Sequence, residues 1–146
     1  MTIEFFAPDR PQMREAIDLR VTVFVDEQRV PMEEEVDVHD TSEDATAVHA
    51  IVREDRRVLA CGRLYGAGVG IARIGRMAVA RGVRGRGVGR YLLEALLARA
   101  HELGYRRATV SAQVHAVGFY GKAGFSVNGA EYLDAGITHV DMSRPL

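Results

Sequence analysis

The sequence holds a single cysteine, Cys61, among 146 residues. No disulfide can form within the chain, so a cysteine-stapled fold is excluded. Cys61 lies in the apolar run VLACGRLY, where a small buried side chain is expected rather than a nucleophile. The five histidines and this cysteine show no C-x-x-C or H-x-x-x-H spacing, and no metal site is expected. No apolar run approaches the roughly 18 residues that span a bilayer. The start, MTIEFFAPDRPQ, lacks the basic-then-apolar order of a secretory signal. A soluble, cytoplasmic protein with no membrane partner is the expectation. Charge of one sign is also missing: 19 basic and 20 acidic residues leave a net −1. Basic residues do not interleave with aromatics along a face, so no nucleic-acid partner is expected. Repeats, linkers and low-complexity segments are absent as well.

What remains suits one domain, residues 1–146, with 47% hydrophobic residues to build a core. TIEFFAP reads as a strand ended by Pro8. Residues 9–28 read as one helix, with Asp9 as cap, Pro11 in the first turn, and Ile17, Val21, Phe24 and Val25 on one face. The acidic stretch 29–45 reads as a loop with room for one helical turn. Residues 45–54, 58–66 and 71–80 read as three strands of an antiparallel meander. Gly75 marks a bulge or a close backbone approach in the third. A helix follows, with Val88, Leu92, Leu96 and Leu103 on its apolar face and Gly104 as C-terminal cap. Then come a strand (105–113), a short helix ending at Gly124, and two closing strands. This is an α/β protein of the α+β type: a mixed, mostly antiparallel sheet of six to seven strands flanked by about four helices.

Chemistry concentrates in ARGVRGRGVGRYLLEALLARAHELG, residues 80–104. The first turn of a helix has N–H groups without intrahelical partners, and the helix dipole favours an anion there. Glycines before the helix let those groups converge with no side chains in the way. A phosphate cradle at the start of the Val88 helix is the physical reading, with arginines to pair phosphate oxygens. The dinucleotide pattern G-x-G-x-x-G fails, because Arg90 stands where its third glycine belongs. A Walker loop is absent. What fits is R-x-x-G-x-G, at Arg84, Gly87 and Gly89.

That hexapeptide resembles the acetyl-coenzyme A motif of the GNAT N-acetyltransferases, and the element order of the whole chain is similar to theirs. VSAQVHAVGFYGKAGF resembles their next strand and helix. VFVDEQ and AGITHVDM resemble a bacterial subgroup of predicted acetyltransferases. The resemblance implies a sheet splayed in the middle, acetyl-CoA as co-substrate and a primary amine of a small molecule as acceptor, attacked directly in a ternary complex. It also implies that a homodimer is open to the chain. Arg84, Gly85, Arg86, Gly87, Val88, Gly89 and Arg90 would cradle the diphosphate. Met77, Ala78 and Val79 would pair with the pantetheine arm as a pseudo-strand. Tyr120 would be the general acid that protonates the leaving thiolate, and it would contact the cofactor too.

For the base, Glu34 and His49 are the leading candidates, beside Glu27, Glu33, Glu35, His139 or an ordered water. The run MEEEVD reads either as a solvated loop or as a rim that attracts a cationic amine. Gln113, at a strand end, is expected to hold pantetheine or substrate. Arg81 and Lys122 are within the range of guesses for the 3′-phosphate. Two other functions stay open at this point: a non-catalytic acyl-CoA sensor on the same fold, and a mononucleotide-binding module.

Overall fold

The computed structural model covers residues 1–146. Its strands are β1 (Thr2–Phe6), β2 (Val48–Glu54), β3 (Arg57–Gly66), β4 (Ile71–Val79), β5 (Arg107–Gln113), β6 (Ser126–Val127), β7 (Tyr132–Asp134) and β8 (Ile137–Pro145). Its helices are α1 (Gln12–Arg20), α2 (Met32–Glu35), α3 (Val88–Glu102) and α4 (Val117–Lys122). They form a single sheet in the order β1-β2-β3-β4-β5-β8-β6, with β7 also paired to β8. Every pairing is antiparallel except β4 with β5. Eight strands replace the expected six to seven, because the segment 125–146 breaks into two short strands that both lie on β8. No helix is long and apolar enough to cross a membrane.

Both sheet faces are covered. Ala50, Val52, Ala60, Val110 and Met142 face Leu92, Leu93 and Leu96 of α3, all essentially inaccessible. Burying each such leucine contributes about 2 kcal/mol. The residues that alternate with them, Ile51, Cys61 and Ala78, pack with Phe6, Met13 and Ala16 under α1. Burial pushes the Cys61 thiol up to about 12, as a core cysteine requires.

Three differences from the sequence reading shape the site. The helix expected over 9–28 is α only to Arg20; Val21–Glu27 continues as a π-helical turn. Such turns concentrate at functional sites, and this one carries Glu27 and ends at Gln28. The bulge lies one residue beyond Gly75. Cys61 pairs with Ala78 and Arg63 with Gly75, so Arg76 and Met77 together oppose Gly62. Arg76 is the residue in the left-handed region, at φ 47°. Gly62 leaves the room that Met77 needs: a Cβ there would meet Leu96 Cδ1 at 3.0 Å and Met77 Cγ at 3.2 Å.

The third difference is a buried ionic network that pins the acidic loop. Arg20, fully buried on α1, donates to Glu35 Oε1 at 2.7 Å and to both Asp40 oxygens at 2.6 and 2.9 Å. Arg63 donates to Asp37 at 2.7 Å and Asp40 at 2.9 Å. Burial alone would raise the Asp40 carboxyl; the two guanidinium groups overcome it and hold the acid well below the ordinary carboxylate range.

Candidate active site

The parallel pairing of β4 with β5 stops at Ile74 and Val110. Beyond it the two strands part, and a cavity of about 510 Å³ opens between them. Met77, Ala78 and Val79 form its β4 wall, Ser111 and Gln113 its β5 wall, and Tyr120 lines it from α4. Glu34 and Glu35 line it from α2, Gln28 from the end of the π-helical turn, and His139 from β8. A second cavity of about 390 Å³ sits at the start of α3, lined by Arg84, Gly85, Gly87, Val88, Gly89, Arg90 and Lys122. The two share Val79, Arg84, Gly89 and Phe119, so they adjoin.

The helix entry is built as an anion cradle. Gly85 and Gly87 take φ of 79° and 78°, and added side chains there would project into open space. Gly87 is the N-cap of α3 with no side-chain capping bond. Six consecutive N–H groups, Gly85 to Arg90, donate to no protein acceptor. These amides lie at the positive end of a helix, with Arg90 and Lys122 lining the same cavity, a setting that could hold an anion such as a diphosphate. Arg86 lines neither cavity, and Arg81 is exposed.

Arg84 is committed within the protein. Its guanidinium donates to both Glu27 oxygens, at 3.0 and 2.9 Å, and to the Val79 carbonyl at 2.9 Å. Glu27, a base candidate in the sequence, is therefore tied to the loop before α3, and its bond to Arg84 lowers its carboxyl from the ordinary range.

Tyr120 is buried, with Phe119 and Phe125 edge-on to its ring, and its hydroxyl has only Met77 Sδ nearby, at 4.0 Å. Desolvation pushes the phenol up to about 12, which keeps its proton in place at neutral pH. Gln113 donates through Nε2 to Gln28 Oε1 at 2.8 Å, tying β5 to the end of the π-helical turn across the cavity.

Of the base candidates, His49 is misplaced for the part. It lines neither cavity, is 1% exposed, and donates from Nε2 to the His39 carbonyl at 2.9 Å. Burial lowers its pKa, so it remains a neutral core ring. Glu33 is exposed and outside the cavity; Glu35 is inside but locked in the Arg20 ion pair. Glu34 stands exposed at the rim. Gln28 and Arg76 were not anticipated as site residues. VFVDEQ was the available signal for Gln28, while nothing local marks an arginine as the residue that takes the bulge.

The family comparison agrees with this geometry. Residues 15–146 match the model of the Acetyltransferase (GNAT) domain. A Bacillus subtilis protein named as an uncharacterised N-acetyltransferase, YjcF, is 34% identical over 139 residues, 94% of this chain and 96% of that one. An acyl-CoA N-acyltransferase from Pseudomonas aeruginosa superposes with a TM-score of 0.87 at 32% identity, over 98% of each chain. Escherichia coli ElaA does so with a TM-score of 0.87 at 26% identity, over 99% of each chain. Fold and site define an acyltransferase with a coenzyme A-linked acyl donor. The chain belongs to the GNAT acetyltransferase family.

Proposed function

We propose that the protein moves an acetyl group from acetyl-CoA to a primary amine of a small molecule, by direct attack with both substrates bound. The observation that carries this reading is the pair of adjoining cavities, one at the six free amides of Gly85–Arg90, the other along the parted edge of β4 with Tyr120 in its lining. The diphosphate would rest on those amides, and the pantetheine amides would pair along Met77–Val79. Acetyl-CoA supplies an activated carbonyl and a thiolate leaving group. Tyr120 would give that thiolate a proton, and burial keeps the phenol protonated at neutral pH. A β4 backbone N–H near Met77 or Ala78 would stabilise the oxyanion that develops on the carbonyl. Glu34, exposed at the cavity rim, would draw a cationic amine inward.

A thiol-release assay with acetyl-CoA and a panel of polyamines, amino sugars and aminoglycosides tests this. Release above background with at least one primary amine is expected. Tight binding of acetyl-CoA with no release across the panel would reject the enzyme and leave an acyl-CoA sensor.

A further inference from the structure

Direct attack needs a group that takes a proton from the incoming ammonium, and we infer that His139 is that group. The inference rests on the acetyltransferase reading above.

His139 lies on β8 directly opposite Gln113, and it lines the same cavity as Tyr120. Its Nδ1 is 2.7 Å from the Ile137 carbonyl. A carbonyl oxygen can only accept, so Nδ1 carries the proton and Nε2 of the neutral ring keeps its lone pair. No protein group uses Nε2, and it is not among the buried polar atoms sealed away without a partner. The ring plane is held by Tyr132, stacked at 6.0 Å and 21°. Tyr132 is fixed in turn by its hydroxyl, which donates to Asp141 at 2.7 Å. Only His39 and His49 have a ring nitrogen within 4 Å of a carboxylate, so no ion pair competes for His139. Tautomer, orientation and access all suit a base, a combination absent from Glu27, Glu35 and His49.

The sheet's two faces give His139 and Tyr120 separate tasks. Tyr120 belongs to the core on the α3 side, together with Val110, Ala112 and Val140. Side chains alternate along a strand, so Gln113 and His139 point to the opposite face, where Gln28 meets Gln113. The gap between β4 and β5 joins the faces. The amine enters on the His139 side and loses one proton to Nε2. Its nitrogen then forms the C–N bond as the C–S bond breaks. Tyr120 protonates the thiolate and recovers the second nitrogen proton, and the imidazolium releases its proton to solvent. The balance is one amide, one thiol and one proton.

The test compares wild type with His139→Gln, which keeps a polar side chain but has no base, and with His139→Ala with and without added imidazole. Acetyl-CoA affinity by calorimetry and thermal melting serve as controls. Two acceptors are used: an aliphatic amine, cationic at the assay pH, and an aromatic amine, already neutral. Expected are a fall on the order of 100-fold in kcat/KM for the cationic amine, a much smaller fall for the neutral one, unchanged acetyl-CoA affinity, and partial rescue of His139→Ala by imidazole. A wild type active on the cationic amine with an equally active His139→Gln would overturn the base while leaving the acetyltransferase intact. So would equal losses on both amines. A wild type inactive on every amine would bring down the parent reading, and this one with it.

Discussion

Replacing Tyr120 by phenylalanine removes one oxygen and little else. In the folded protein that hydroxyl makes no hydrogen bond stronger than its 4.0 Å approach to Met77 Sδ. Its removal therefore strands no partner, and stability should change by less than about 1 kcal/mol. The two edge-on aromatic contacts and the core packing are kept. Turnover is another matter. Loss of a positioned general acid costs typically 100- to 10,000-fold, equivalent to about 3 to 5 kcal/mol of transition-state stabilisation at 1.36 kcal/mol per factor of ten. Affinity for acetyl-CoA should stay within about twofold, because the amides of Gly85–Arg90 are untouched. The assay is thiol release at saturating substrates, alongside calorimetry with acetyl-CoA and a thermal melt. The phenol's raised pKa adds a second readout. The protonated form is the active one, and burial pushes the phenol up to about 12, so any alkaline limb that kcat/KM owes to this group lies above that of an ordinary phenol at about 10. A phenylalanine variant that keeps wild-type kcat would refute the acid role.

Three further variants probe the supports of the site. Asp40→Asn leaves Arg20 and Arg63 short of their shared carboxylate in a buried place and should cost about 3 to 5 kcal/mol in a urea titration. The same carboxyl has a depressed folded-state pKa, so its contribution is complete above its unfolded value of 3.8 and drains away as pH falls below that; the wild type should lose stability there and the asparagine variant should lose less. Gly87→Ala forces a side chain into φ 78°. It should cost about 1 to 2 kcal/mol in a melt and weaken acetyl-CoA binding more than it lowers kcat. Glu27→Gln releases Arg84 from its ion pair, and calorimetry should find tighter acetyl-CoA binding, by a margin that shrinks with added salt.

The features legible in the sequence were local ones. The glycine spacing and the helically spaced leucines mark the α3 entry, where Gly85, Gly87 and the free amides lie together. Tyr120, marked by its motif, and Gln113, marked by its place at a strand end, line one cavity. What escaped depends on contacts far apart in the chain. Arg20 finds Glu35 and Asp40 across 15 and 20 residues, and Arg84 finds Glu27 across 57; no spacing rule reaches so far. The π-helical turn at Val21–Glu27 buries Val23 rather than the expected face of Val21, Phe24 and Val25, a register that an α-helical period does not predict. Gly75 marks a bulge or a close backbone approach in the sequence, yet the left-handed position is Arg76, whose guanidinium bonds the Glu34 and Glu35 carbonyls and Asp37. His49 and His139 looked alike as strand histidines; only burial and hydrogen bonding separate a sealed core ring from one open to the cavity.

The measurement that bears most directly on the whole account is a crystal structure with acetyl-CoA bound. The diphosphate should lie on the N–H groups between Gly85 and Arg90, with the acetyl carbon in the gap between β4 and β5 beside Tyr120. A diphosphate bound anywhere else, with those amides facing only water, would contradict it.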